Sequence, residues 1–315
     1  MTHQYIYGRS KVLAISGEEF SYRYNDCSEM WYRRYPLCGS EDSIMQSRLR
    51  QSPIDLSDAI YNASLKHLLL RNYQLPSGKW RIEKTKTSIV LYSDGILPFI
   101  EMPQSFEFNQ AHFHWGSGGR SLVGSEHSID GKFFPLEVHL VHVNKLTNQI
   151  AVLAVLYELS NPKTDKDNPK LDPLLEIIEL DINSKEFSRT GGTPILYMRN
   201  QFILENLLPE NWNTYYRYIG SLTTPPCTEN VIWTIIKEKN YLSRRQLYFI
   251  ERIQQCDSKL RTCFARSSIG PNRRPLQSRN NRPIYLSSNA NISKLSCSLF
   301  ILSLILYINN HYYMI

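Results

Sequence analysis

From Ser105 to Trp115 the chain reads Ser-Phe-Glu-Phe-Asn-Gln-Ala-His-Phe-His-Trp, and this alternating stretch constrains the fold more than any other. Successive side chains of a β-strand point to opposite faces, so a strand here puts Gln110, His112 and His114 on one side. Two imidazoles on one face can grip one metal ion. A third histidine, His139, lies in the apolar run Leu136-Glu-Val-His-Leu-Val-His-Val143, where it shares a face with Glu137 and Val141. Three neutral imidazoles with one position left open form the ligand set of a catalytic zinc site, not of a closed structural one. Any one of these histidines alone reads as a satisfied core residue. Together on buried strands they would each need partners for both ring nitrogens, which makes an idle role costly.

The remaining pattern is rich in strands. Trp80 to Lys84 and Ser88 to Tyr92 read as short strands, with Ser93-Asp-Gly95 as the turn after them. Phe133 to Asn144 and Gln149 to Leu159 are apolar enough to lie centrally in a sheet. Tyr215 to Ile219 and Glu229 to Ile236 resemble strands flanking the loop Gly220-Ser-Leu-Thr-Thr-Pro-Pro-Cys227. Helical spacing is confined to Asp172–Leu180 and to the segment capped by Ser243 that runs to Ile253, with Phe202–Leu208 as another short element. Met1 to Arg50 has little periodicity and reads as an irregular arm, and Gln51-Ser-Pro-Ile-Asp-Leu56 as entry into the folded body. Many strands and few, late helices predict a mainly β (α+β) chain: a single domain around a large, twisted, mostly antiparallel sheet with a few short helices. A chain of 315 residues can bury such a core.

The net charge of +7 comes largely from basic residues gathered between Arg244 and Arg282, with no aromatic-interleaved basic motif or zinc-finger spacing among them. A solvated basic face accounts for them, and no nucleic-acid partner is expected. None of the six cysteines (27, 38, 227, 256, 263 and 297) forms a C-x-x-C pair. Scattered cysteines suit disulfides and an oxidising, extracellular setting, and Asn62-Ala-Ser64 and Asn291-Ile-Ser293 fit the glycosylation acceptor pattern. The first ten residues, Met1 to Ser10, lack the apolar core of a secretory signal, which conflicts with that setting. At the other end, Leu295 to Ile308 is an almost unbroken apolar run after Ser287-Ser-Asn-Ala290. It suits the removable tail of a lipid-anchor signal, with membrane attachment as the consequence, or equally a buried terminal segment.

Six blocks in order resemble those of the α-class carbonic anhydrases, particularly the secreted or membrane-anchored members: Gln51-Ser-Pro-Ile-Asp-Leu56, Gln110-Ala-His-Phe-His-Trp-Gly116, Ser125-Glu-His127, Glu137-Val-His-Leu-Val-His142, Ser221-Leu-Thr-Thr-Pro-Pro226 and Asn272-Arg-Arg-Pro275. The resemblance divides the chain into an N-terminal arm (1–19), a carbonic anhydrase domain (20–285) and a C-terminal polar segment with its apolar tail (286–315). It implies Zn2+ at the base of a cone-shaped cleft, held by His112, His114 and His139 with water or hydroxide as fourth ligand. Gln110 and Glu137 would fix the imidazole tautomers. Thr223 would accept a hydrogen bond from zinc hydroxide and donate to Glu126, aiming the nucleophile at carbon dioxide to give bicarbonate and a proton. Thr224 sits beside it, and Val141, Val152, Leu222, Val231 and Trp233 match the apolar wall for the substrate. Tyr22 matches a tyrosine near the cleft. Cys38 and Cys227 match the disulfide of the exported members, and Cys256 and Cys263 suit a local pair.

Two departures bear on rate and shape. Where fast members carry a proton-shuttling histidine, the segment Leu91-Tyr-Ser-Asp-Gly-Ile-Leu-Pro98 offers Ile96 or Leu97, so no shuttle is identified and turnover is expected to be limited by proton release. The stretch Asn144 to Ile150 is also shorter than the rim loop of many relatives. The competing reading is a catalytically weak carbonic anhydrase-like binding module. A zinc protease is disfavoured because the chain lacks the helical H-E-x-x-H pattern.

Overall fold

The computed structural model describes Tyr22 and residues 28–287, apart from 77, 117–121 and 258–259. The expected arm 1–19, Cys27, Cys297, the Asn291 acceptor motif and the apolar run from Leu295 lie outside the described residues.

Among those residues the strands are β1 (Ile60–Asn62), β2 (Leu69–Arg71), β3 (Trp80–Lys84), β4 (Ile89–Ser93), β5 (Phe99–Glu101), β6 (Ser105–Trp115), β7 (Leu136–Val143), β8 (Ile150–Leu159), β9 (Ile195–Tyr197), β10 (Tyr215–Ser221), β11 (Glu229–Ile236), β12 (Asn240–Leu242), β13 (Gln254–Asp257), β14 (Thr262–Ser268) and β15 (Tyr285–Ser287). All but β13 and β14 join one sheet, ordered β1-β15-β10-β11-β8-β7-β6-β4-β3-β9, with β12 on β8 and β2 on β5, which itself pairs with β6. The sheet is mixed: most pairings are antiparallel, but β1 with β15, β11 with β8 and β12 with β8 run parallel. The helices are short: α1 (Ser43–Arg48), α2 (Asp172–Ile182), α3 (Lys185–Thr190) and α4 (Arg244–Glu251). The Ser243 side chain accepts from Gln246 N while the Gln246 side chain returns to the Ser243 backbone, so a full capping box starts α4. No helix among the described residues is long and apolar enough to cross a membrane.

The arm before Gln51 is more ordered than its sequence suggests. It holds two 3-10 turns, Ser28–Arg33 and Pro36–Cys38, followed by α1, whose Asp42 cap accepts from Ile44 N and Met45 N. Helix α1 buries none of its side chains, so no apolar stripe marks it. Three-residue strands such as β1, β2 and β9 escape detection for the same reason: they are too short to show a period.

Two apolar layers explain the long apolar runs. Every residue of β7 is buried, and so are the first eight of β8. Leu136, Val138, Leu140, Leu153 and Val155 face a core roofed by α2 and α4, while Val141, Val152, Ala154 and Trp233 face a second, smaller one. Strand β6 contains a bulge at Asn109, between the pairs Phe108↔His142 and Gln110↔Val141. The bulge changes parity. Strict alternation would put Phe108 on the side of His112 and His114, whereas Phe108 joins Ala111, Phe113 and Trp115 in the larger core. The histidines are left on the opposite face.

Candidate active site

Register completes what alternation begins. In the β6–β7 ladder His112 lies directly opposite His139, and His114 opposite Glu137, so the three imidazoles converge with centroids 4.5 to 5.1 Å apart. All three are buried. Burial and repulsion from the other two rings push His112 well below the usual imidazole range, and burial chiefly does the same to His114. Both rings are therefore neutral and able to act as ligands.

The outward nitrogen of each ring meets an acceptor. His112 Nδ1 lies 3.1 Å from Gln110 Oε1, His114 Nδ1 lies 2.7 Å from the Asn272 carbonyl, and His139 Nε2 lies 2.7 Å from Glu137 Oε1. Each outward nitrogen consequently carries the proton, which leaves lone pairs on His112 Nε2, His114 Nε2 and His139 Nδ1. These inward nitrogens are 3.1 and 3.3 Å apart across His114–His139 and His139–His112, with no proton between them. Three converging lone pairs in a buried site repel one another unless a cation sits among them. The neutral nitrogen donor set fits a zinc ion. Behind it, the buried Glu126 Oε2 has no hydrogen-bond partner and adds negative charge at 4.0 Å from His139 Nδ1.

A family model described as eukaryotic-type carbonic anhydrase matches residues 26–288. The chain belongs to that family. It is 34% identical over 243 residues to carbonic anhydrase 6 of Mus musculus, covering 70% of this chain and 68% of that one. It is 31% identical over 261 residues to carbonic anhydrase 12 of Homo sapiens, covering 78% and 67%. Among solved structures, the α-carbonic anhydrase of Photobacterium profundum superposes with a TM-score of 0.64 at 27% identity, over 85% of this chain and all of that one. The chain is thus a carbonic anhydrase by sequence and by fold, and carbon dioxide hydration is the activity that membership supports.

Around the carbonic anhydrase histidines the sheet supplies a cleft lined by His112, His139, Val141, Val152, Leu222, Thr223, Thr224 and Trp233. Val231 is buried in the same apolar cluster as Val141, Val152 and Trp233, behind that lining. Thr223 and Thr224 belong to a tight turn in which Leu222 N donates to Thr228 O and Cys227 N to Thr224 O. A Cys38–Cys227 disulfide ties that turn to the arm, and a second disulfide joins Cys256 to Cys263 across the β13–β14 hairpin. Thr223 is not hydrogen-bonded to Glu126: Oε1 accepts from Arg274 N at 2.8 Å, and Oε2 has no partner. Ile96 is 62% exposed in the β4–β5 loop, and Leu97 packs against the larger core. The short rim segment is a tight hairpin held by Asn144, whose Oδ1 accepts from Leu146 N and Thr147 N.

Several supporting residues escaped reading from sequence because their partners are remote. Asn272 offers its carbonyl to His114, its Oδ1 to Trp115 N, and its amide to Thr87 O and Phe113 O. His127 donates from its main chain and ring to Glu137, while its Nε2 meets Tyr218 Oη at 2.7 Å and that oxygen meets Ser52 Oγ. Burial alone would raise the Glu137 pKa, but His127 and His139 outweigh it and hold the carboxyl well below its usual range. Arg274 is almost wholly buried and donates to Gln51 Oε1, Ser52 O and Cys38 O, with burial lowering its pKa to about 10. Tyr22 packs edge-on against Trp31 near the same arginine, and burial and Glu126 raise its phenol pKa. The motif blocks containing His127, Asn272 and Arg274 were visible in the sequence, but their roles were not.

Proposed function

We propose that this chain catalyses the reversible, zinc-dependent hydration of carbon dioxide, with His112, His114 and His139 as the metal ligands. The convergence of three proton-free ring nitrogens carries this reading. Bound zinc acts as a Lewis acid that lowers the pKa of water at its open position to about 7, a value for which carbonic anhydrases are themselves the reference case. Gln110, Asn272 and Glu137 hold the protons on the outward nitrogens and so keep the inward lone pairs available. Thr223, at the cleft wall beside His112 and His139, is placed to accept a hydrogen bond from the nucleophile, and Glu126 is the nearby acceptor for its own proton. That relay requires the Thr223 hydroxyl to reach the free oxygen of Glu126 once the cleft is occupied. Val141, Val152, Leu222 and Trp233 offer carbon dioxide an apolar recess from which water leaves at little cost, and Thr224 lines its edge.

Proton release sets the rate in this proposal, because Ile96 and Leu97 cannot ferry a proton out of the cleft. The domain would span 20–285 and act outside the cell, where both disulfides persist. Zinc content and carbon dioxide hydration of the wild type beside His114→Ala, each followed across buffers, test the whole reading. The wild type should bind zinc and accelerate strongly with small imidazole buffers, and His114→Ala should lose both. Equal activity in the two proteins would overturn the zinc mechanism. A fast, buffer-independent wild type would overturn the proton-release limit.

A further inference from the structure

Strand β1 ends the sheet on its side, pairing only with β15 and leaving its other edge open among the described residues. Ile60 and Tyr61 on that strand are 55% and 61% exposed. An open edge flanked by exposed apolar side chains is a template for pairing with another chain, and proteins blunt such edges with short strands, charge, proline, bulges or a cover. The three residues of β1 include no charge and no proline, and its register with β15 is regular. At three residues the strand already limits the edge, and a cover would shield the apolar side chains that its shortness leaves exposed.

The last residue of that strand, Asn62, opens Asn62-Ala63-Ser64, the one glycosylation acceptor pattern among the described residues. The chain turns immediately after it: Leu65 N donates to Asn62 O at 3.1 Å. Ser64 N and Ser64 Oγ both donate to Asn62 Oδ1, at 2.9 and 2.6 Å. Those two bonds engage the carbonyl end of the side chain, while Asn62 Nδ2, at a half-exposed position, donates to none of the described residues. Ala63, the middle residue, is exposed and is not proline. Independently, the Cys38–Cys227 and Cys256–Cys263 disulfides place the chain in an oxidising compartment, the setting in which such asparagines are modified.

We infer that Asn62 carries an N-linked glycan that stands over the open β1 edge. In the transfer, Asn62 Nδ2 attacks the anomeric carbon of a lipid-diphosphate-linked oligosaccharide. The new C–N bond replaces the C–O bond to the diphosphate, Nδ2 releases one proton, and the lipid diphosphate departs, with no change in oxidation state. The glycan, bulky and hydrated, then occupies the space in which a second strand would dock against Ile60 and Tyr61. This inference rests on entry into the secretory pathway and not on the zinc chemistry.

The test separates entry from modification by supplying entry. The full chain behind a cleavable secretory leader, with Asn291→Gln removing the second acceptor pattern, is translated with endoplasmic-reticulum microsomes, and only the protease-protected product is read. That product should show one endoglycosidase-sensitive mobility shift. The shift should persist with Ser64→Thr and vanish with Asn62→Gln and with Ser64→Ala. Protected chain without the shift would overturn the site. Light scattering of the proteins secreted from cells, at matched concentration, tests the covering role: Asn62→Gln should form larger species where the glycosylated chain stays monodisperse. Equal size distributions would overturn that role.

Discussion

Replacing Glu137 with glutamine preserves shape and removes one acceptor, so its consequences can be worked through atom by atom. The carboxylate is fully buried and accepts four hydrogen bonds: Glu126 N and His127 N on Oε2, both 2.8 Å, and His127 Nδ1 and His139 Nε2 on Oε1, at 2.6 and 2.7 Å. Whichever way the amide turns, its NH2 faces two donors. Main-chain N–H groups cannot change their protonation, so the lower-energy orientation keeps the carbonyl toward Glu126 and His127 main chain and points NH2 at the two imidazoles. Each stranded buried donor costs about 1–3 kcal/mol, so stability should fall by about 2–6 kcal/mol unless the rings switch tautomer. If His139 switches, its proton moves to Nδ1, the nitrogen that faces His112 and His114, and zinc must displace it. Loss of such an outer partner typically lowers metal affinity by about 10–100-fold. Chelator competition gives the zinc Kd, and urea unfolding with and without zinc gives the stability. A Glu137→Gln protein with wild-type zinc affinity and wild-type stability would refute the tautomer argument.

Three further outcomes follow from other parts of the molecule. His142 is buried neutral against Tyr73, and burial lowers its pKa to about 3. The unfolded chain therefore binds the extra proton between pH ~6.5 and ~3, so stability is full above that window and falls as pH drops through it, by up to ~5 kcal/mol; His142→Gln should flatten this loss in urea titrations at pH 7 and pH 4, and parallel losses would argue against it. Removing the Cys38–Cys227 disulfide, which closes a separation of 189 residues, should destabilise the fold by up to about 5 kcal/mol in the chain-entropy account, read as a lower unfolding midpoint of the double serine variant. Ile96→His should raise turnover in weakly buffered solution and reduce the acceleration by imidazole, as followed by stopped-flow hydration.

Much of the site was legible because strand periodicity is local. Gln110, His112 and His114 are two residues apart, and Glu137, His139 and Val141 likewise, so backbone geometry alone places each trio on one face. Strand β6 was visible for the same reason, β7 and β8 by their apolar runs, β11 by its strand-like composition beside a proline loop, and α2 and the cap of α4 by helical spacing and a capping serine. The three-residue strands and α1 were not, since so few residues without a buried stripe carry no period. The parallel pairings of β11 and β12 with β8 were also invisible, because which strands become neighbours is decided by packing at long range.

By itself the sequence determined the chemistry: three histidines able to offer neutral nitrogens, carboxamide and carboxylate partners at strand spacing, and cysteines placed to form disulfides. Tertiary structure decided where that chemistry points. The bulge at Asn109 turns Phe108 into the core and the histidines away from it, and the β6–β7 register sets His112 against His139. Only folding brings the Asn272 carbonyl to His114 across 158 residues and Arg274 N to Glu126 across 148. The reason is physical: an alternating pattern fixes side-chain direction within one strand, whereas a bulge, a register and a remote carbonyl are fixed by hydrogen bonds to other strands and loops.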